Sequence, residues 1–501
     1  MGACFAVTNL NVGVSLSGIS SMHNVSYFKK YCLLIFATFV AFIGLLFARP
    51  DLILPHKIHA AVSLKGWDGF SKVVVANIAQ RKLGQRTTKS REAWYRLLGS
   101  LRDIDVEYLS PRSDVVTATE VAQGHEFVLH LLSIGLDAYV INADTTRPKF
   151  KNLFNPDHKW LVDQPDAIYL TATISADYDY IIEGSKANND HVYFSYTCYT
   201  HKKGGGWAEN IFSEAGYPRS SVSGRQLKLD KDGKYRLLVS KIKPTLLQDN
   251  EQWLRIPESN TVGAGEVSIL ARHYFEGATS IQMYQGRARS DVSAKITVVE
   301  NIHDATRSRF PPIPTDDNVA QRIDFLSNFL LDHTIVMGPG GEMTRRPGHT
   351  IPKWYSIVNN VIGKPGKFIG SSSGAGAPDV DYAAGPWKLT QSQALIIEGV
   401  WPAKNSCIFA NVLLLNKFMQ SLDYHHGRAQ HYNRRQTKGT PLIEDEGPLP
   451  FKLVLAHENP GDQYHWLDTE GRETGIIFFR YFLLTAEVEQ VTSRVVEFAS
   501  L

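Results

Sequence analysis

Four short blocks occur twice in this chain, in the same order and at nearly the same spacing, and no other feature narrows its fold as much. Ile181-Ile-Glu-Gly184 recurs as Ile396-Ile-Glu-Gly399, Tyr235-Arg-Leu-Leu-Val239 as Phe451-Lys-Leu-Val-Leu455, Trp253-Leu254 as Trp466-Leu467, and Arg272-His-Tyr-Phe275 as Arg480-Tyr-Phe482. From Gly184 to Leu237 is 53 residues and from Gly399 to Leu453 is 54, while glycine to tryptophan is 69 against 67. Only the last interval, 19 against 14, differs appreciably, by a length that a longer hairpin tip absorbs. Blocks matched in both order and spacing imply two copies of one unit.

Each copy is β. Asp166–Glu183, His191–Thr200, Gln226–Ile242 and Val267–Tyr274 are short runs rich in Ile, Val, Tyr and Thr, broken by Gly, Asn and Asp. The copies hold too few helical stretches for βαβ units, and each places a long excursion between its second and third strand groups. That pattern predicts a mainly β chain of two tandem jelly-roll-like β sandwiches. Asp230-Lys-Asp-Gly233 lacks the later ligands of a calcium loop and reads as a hairpin turn.

Residues 1–28 form a polar tail without Lys, Arg, Asp or Glu. The next segment, 29–50, opens with Lys29-Lys30 and holds the uncharged run Tyr31–Ala48, long enough to cross a bilayer. No good cleavage pattern follows it, so it reads as a retained single transmembrane helix, which makes a membrane the expected partner. Two basic residues precede the run and Arg49, Lys57 and Lys65 follow it, so the positive-inside rule does not choose a side for the body. Residues 51–150 are a helical segment. Ala93–Tyr108 aligns Trp94, Leu97, Leu98, Leu101 and Ile104, and the capping box Thr117-x-x-Glu120 opens a second helix to about Ile141 with Val121, Val128, Leu131, Leu132 and Leu136 on its apolar side.

The β units then occupy 151–312 and 387–501, joined by a connector, 313–386, with a helix at Asp316–His333 and loops through Gly363–Pro386. A formal net charge of +3 offers no general basic surface, which argues against nucleic acid as a partner. Cys198 and Cys407, the two cysteines beyond the apolar run, are too few for a disulfide framework or a zinc site, leaving two buried thiols or one bridge.

Glu398-Gly399, Asn411, Asn416, Gln420, Asp423-Tyr424, Asn433, Gln436, Ala456-His457, Pro460-Gly461, Trp466-Leu-Asp-Thr469, Gly471 and Phe479-Arg480 together resemble the carboxy-terminal domain of the domain-of-unknown-function 1214 family. Glu120–Asp144 and Asn155–Glu183 resemble the upstream half of its longer members, so the likeness covers most of residues 90–483. The resemblance implies a jelly-roll-type sandwich and supplies no activity. Gly461-Asp-Gln-Tyr-His465 before Trp466 departs from the family's shorter Pro-Gly turn.

Polar groups concentrate in the second copy. His457, Glu458, Asp462, His465 and Asp468 crowd one loop, and Arg480 sits among Phe478, Phe479, Tyr481 and Phe482. A charge inside an aromatic strand needs a partner or a cavity. Because Glu and Arg both recur, structural ion pairs are expected, Arg272 with Glu183 and Arg480 with Glu398 or Asp468. His457 and Asp468 instead align with Lys241 and Arg255, so only the second copy has an acid and a base there. With Arg480, Asp423, Asn433 and Arg434 they are the candidate ligand-binding or catalytic residues.

Two functions fit. One is a module that binds a small molecule, glycan or lipid; the other is a hydrolytic enzyme with His457 or Asp468 as general base and Arg480 or Arg434 stabilising negative charge. Gly370-Ser-Ser372-Ser-Gly374 has the letters of a nucleophile elbow, but Ala375-Gly-Ala-Pro378 is a poor helix start, so it reads as a loop. Asp423, His425, His426 and His431 lack the order of a cupin metal site. No cofactor and no metal is indicated.

Overall fold

The computed structural model describes residues 88–501 apart from 187–190, 201–218, 257–266, 277–291, 293, 300–310, 312, 337, 342–350, 368–378, 427, 429 and 438–446. The polar tail, the apolar run expected to be an anchor and the Gly370–Gly374 loop lie outside these residues. Among the described residues no helix is long and apolar enough to cross a membrane.

The chain is mainly β, with four sheets and a few helices. Helices α1 (Lys89–Ile104) and α2 (Ala118–Gly135) come first, and α3 (Asp316–Leu331) lies between two sets of strands. The first set is β1 (Lys151–Phe154), β2 (Ala167–Ile174), β3 (Tyr180–Ser185), β4 (His191–Thr200), β5 (Arg219–Ser223), β6 (Lys234–Ser240), β7 (Glu251–Arg255), β8 (Val267–Phe275) and β9 (Ala294–Val298). The second is β10 (Gly366–Lys367), β11 (Val380–Lys388), β12 (Gln393–Trp401), β13 (Phe409–Leu415), β14 (His431–Asn433), β15 (Leu449–Ala456), β16 (His465–Asp468), β17 (Thr474–Phe482) and β18 (Thr492–Glu497).

The first set forms sheets of order β1-β2-β8-β4-β5 and β7-β6-β3-β9, the second sheets of order β10-β11-β17-β13-β14 and β16-β15-β12-β18. Adding nine to each strand number of the first set gives the second, strand for strand. The repeated sequence blocks fall on matching strands and keep their pairing. Gly184 lies opposite Tyr235 as Gly399 lies opposite Phe451, and Leu238 lies beside Trp253 as Val454 lies beside Trp466. Both glycines are required by close approach, since a Cβ at Gly399 would stand 2.7 Å from the Phe451 ring and one at Gly184 would overlap Tyr235.

Among the described residues, period-two alternation divides most buried side chains among three large cores, with a small fourth cluster of Ala394, Val454 and Ala456. Ile174, Ile182, Tyr196, Leu237 and Ile269 fill the space within the first pair of sheets, and Ile397, Val412, Leu453 and Phe479 fill that within the second. The third core is shared. Tyr169, Tyr193 and Tyr274 from one five-stranded sheet meet Tyr382, Phe409, Phe478 and Phe482 from the other, together with Phe127, Leu131, Leu326 and Phe329 of the helices. Tyr274 and Phe482 approach to 4.3 Å between ring centres. Cys198 and Cys407 are free, buried thiols in the first and second of these cores, and burial pushes the Cys407 thiol up to about 12.

Three sequence expectations are corrected. Gly363–Pro386 is not all loop: β11 takes Val380–Lys388 despite Ala383-Ala-Gly-Pro386, because residues 354–363 cover its edge. The Ala384 amide donates to the Trp354 carbonyl there, and a Cβ at Gly385 would overlap the Val361 carbonyl. The helices are also rotated. On α1 the buried residues are Ala93, Leu97, Ser100 and Ile104, leaving Trp94 and Leu98 exposed, and Val121 on α2 and Leu136 just beyond its end are exposed while Phe127, Val128 and Leu131 are buried. The expected capping box is present, with Glu120 and Thr117 capping each other's backbone. Lastly, the ion pairs differ, as described next.

Candidate functional site

Arg480 directs the site. Strand parity puts Ile476, Phe478 and Phe482 in the shared core and Ile477, Phe479 and Tyr481 inside the second pair of sheets, so Arg480 points into the seam between the two halves. Across the sheet it is level with Tyr382 on β11 and Asn411 on β13, and Asn411 is level with Asn433 on β14. Residues directly opposite in antiparallel strands share a face, so these four form one polar row. The first half carries the matching row Tyr169, Arg272, Ser195 and Ser223. There Arg272 donates to the Thr197 hydroxyl (3.1 Å) and the Tyr199 hydroxyl (2.9 Å).

A loop from the first half lies over the Arg480 row. Arg480 donates to the Val162 carbonyl, Asn411 Nδ2 donates to Gln164 and to Asp166 (2.9 Å), and Asn433 Nδ2 donates to Asp166 (3.1 Å). Leu161 and Val162 adopt left-handed backbone, with φ of 47° and 61°, a conformation costly for a β-branched residue. Met419, φ 56°, accepts the Val162 amide, and Ser421 donates through its amide (3.0 Å) and hydroxyl (2.5 Å) to Asp163. Burial pushes the Asp163 carboxyl up, against the opposing pull of Lys159, Ser421 and Arg480.

Hydrogen-bonding capacity is left over in this seam. Arg480 Nη1, Asn411 Oδ1, His431 Nε2, Gln430 Oε1 and Glu276 Oε1 are buried without a hydrogen-bond partner among the described residues. His431 lies 3.6 Å from Asp166, Gln430 touches His431 (3.2 Å), and the Glu276 carbonyl accepts from Asn433 (3.3 Å), while its carboxylate is paired with Lys404. His431 thus adjoins Asp166, with Gln430 behind it and Glu276 beside Asn433, one of the amide partners of Asp166.

The other expected site residues are placed elsewhere. His457, at the end of β15, donates from Nε2 to the Thr390 carbonyl (3.1 Å), which leaves Nδ1 to accept from the Thr469 hydroxyl (2.7 Å). Both nitrogens are engaged, and the ring acts as a clip between loops. Asp468 pairs with Arg428 (2.9 Å) and caps Glu470 N (2.7 Å). Asp423 accepts from the amides of His425 and His426 and from His426 Nδ1 (2.8 Å); partial burial opposes ionisation, but those bonds hold its carboxyl below the usual range. Arg434 is buried and donates to the Gly447 carbonyl. Of the six candidates, Arg480 and Asn433 come together at the seam, and His457, Asp468 and Asp423 do not join them.

The expected Glu–Arg pairs are replaced. Glu183 lies 4.0 Å from Arg236 and Glu398 lies 3.7 Å from Lys452, each with its cross-strand neighbour on an outward face, whereas Arg272 and Arg480 lie on other sheets and face the seam. Sequence reading missed Asp163, Gln164 and Asp166. The signal was the run Asp163-Gln-Pro-Asp166 immediately before a strand, two carboxylates at a site where alternation leaves no solvent face. Among the described residues no group of three His, Cys, Asp or Glu is placed to hold a metal.

No protein-family model matches the chain, and no curated protein matches it significantly. Among solved structures, an uncharacterised protein from Burkholderia cenocepacia is similar over 82% of this chain and 98% of its own, with a TM-score of 0.60 and 21% identity. A protein from Vibrio parahaemolyticus aligns over 74% of this chain and 98% of its own, with a TM-score of 0.38 and 10% identity. The first likeness shows the fold alone.

Proposed function

We propose that the chain is a membrane-anchored binding protein, built of two tandem jelly-roll-like sandwiches that arose by duplication, and that it takes a small polar molecule at the seam between them. The matching strand orders support the duplication, and the strand topology is compatible with kinship to the domain-of-unknown-function 1214 family. The observation that carries the binding reading is the unspent polar capacity beside strained backbone. Buried polar atoms are nearly always paired, and strained residues gather at ligand clamps. A donor on Arg480 with acceptors on Asn411, Gln430 and Glu276 suits a molecule bearing both hydroxyl groups and an acceptor oxygen, such as a sugar or a hydroxy acid, better than an acyl chain. Hydrolysis through His457, Asp468 and Arg480 finds no such support, because the first two are committed to other partners.

The test is a thermal-shift panel of sugars, hydroxy acids and lipids on the full-length chain in detergent. At least one polar compound should raise Tm in the native protein and lose that effect in Asn411→Ala. No stabilisation by any compound, or the same shift in the variant, would sink the reading.

A further inference from the structure

The helical layer is apolar on the wrong side. α1 and α3 are fastened by polar groups: Arg96 makes a two-pronged pair with Asp324 (2.9 Å each), Lys89 reaches Asp317 (2.7 Å), and Asp316 accepts from the Lys89 amide (2.8 Å). Large apolar side chains are left outside. Of the 19 exposed large hydrophobic residues among the described residues, nine lie within 94–141, among them Trp94 (51% exposed), Tyr95, Leu98 (47%), Val121 and Leu129 (63%). They are ordered. Trp94 and Leu98 are one turn apart on α1, and Val121, Leu129 and Leu136 recur every second turn along α2 and its end. His125, midway between Val121 and Leu129, reaches Asp105 in the turn that follows α1 (3.3 Å), so the α2 stripe borders that turn. Clustered exposed apolar surface of this kind marks a place of contact, unlike single scattered residues.

We infer that this face of α1 and α2 rests on a lipid bilayer. The chain ahead of Thr88, the N-cap of α1, contains the uncharged run Tyr31–Ala48, so the first described element to follow it is the one with the misplaced apolar stripe. Trp, Tyr, Leu and Val are the residues that enter the headgroup boundary, where aromatic rings and short aliphatic stripes are stable side by side. The inference rests on the anchor reading above and is independent of the seam ligand.

The full-length chain, with Cys4 and Cys32 changed to Ser, is reconstituted in phosphatidylcholine vesicles and spin-labelled singly at Trp94→Cys, Leu98→Cys or Leu129→Cys, with Ile242→Cys and Ile351→Cys as exposed controls. Labels at 94, 98 and 129 should relax more with oxygen than with a water-soluble nickel chelate, by severalfold relative to the controls. Equal accessibility at all five positions, in a chain that resists alkaline carbonate extraction, overturns the docking face and leaves the anchor standing. Release of the chain by carbonate overturns both. Spin-spin broadening at 94 and 98 that vanishes on dilution with unlabelled protein would assign the face to a second copy instead, against this inference.

Discussion

At the scale of single residues, Arg480 and His457 exchange the roles their sequence contexts suggest. A guanidinium in the middle of an aromatic strand is legible as a charge needing a partner, but the partner lies in the other half of the chain, at Val162. Parity decides this. Leu395 and Ile397 of β12 point into the second core, so Glu398 points outward to Lys452, away from Arg480. Replacing Arg480 by Met removes a buried charge-assisted bond and strands the Val162 carbonyl, so a loss of about 2–4 kcal/mol is expected in urea unfolding. A loss under about 0.5 kcal/mol would show that the arginine does not hold the 161–166 loop. His457, by contrast, reads in sequence as a base and is a clip in the fold. His457→Ala should cost about 1–2 kcal/mol for two neutral hydrogen bonds and leave any ligand-induced thermal shift at its native size.

At the scale of elements, local signals are legible wherever the backbone itself is satisfied by nearby residues. The Thr117–Glu120 capping box is one such case, because both partners lie within a single turn. Which side of each helix is buried is not legible in the same way: α1 and α2 carry apolar residues over more than half their circumference, and packing chose Ala93 and Leu97 over Trp94 and Leu98. Glu120 shows what the sequence withheld. Besides capping α2 it reaches Lys417 (2.6 Å) and Thr474 (3.2 Å) in the second set of strands and its loops. Partial burial alone would raise its carboxyl, yet Lys417 and the amides of Val116 and Thr117 carry it down to about 2. A depressed carboxyl stabilises the fold fully above its unfolded value of about 4.5, and the contribution fades as pH falls from there towards 2. After discounting for solvent screening, roughly 1–2 kcal/mol of stability should therefore be lost between about pH 5 and pH 2 in the native chain and be absent from that interval in Glu120→Gln, as read by the difference in their urea midpoints. The glycine of the repeated block gives a second test. Gly399→Val should drive a methyl into Phe451 and cost about 2–3 kcal/mol, and Phe451→Leu should relieve part of it in the double variant. Additive losses would mean that the ring is not what excludes a side chain there.

For the whole molecule, the matching strand orders were legible because the repeat is written in blocks on four corresponding strands, while the seam was not, because half of each polar row differs between the two sets of strands. The first copy offers Tyr169, Arg272, Ser195 and Ser223 where the second has Tyr382, Arg480, Asn411 and Asn433, so the tyrosine and arginine recur while the two amides that bind Asp166 do not, and the shared pattern marks the row without its partners. The seam's consequence is cooperative. Aromatic contacts such as Tyr193 with Phe482 (5.2 Å) and polar bonds such as the Tyr193 hydroxyl to Asp379 (2.7 Å) leave neither half with a finished surface on that side. The described body should therefore unfold in one transition, reported alike by tryptophan fluorescence and far-UV circular dichroism. Asp166 is the place to break this, since it is fully buried and receives amides from both Asn411 and Asn433. Asp166→Ala strands those donors at a cost of about 2–5 kcal/mol, and the expected result is two separated transitions with a smaller m-value for each. A single transition of undiminished m-value, merely shifted to lower urea, would show that the aromatic contacts alone couple the halves and that the polar locus serves some purpose other than holding them together.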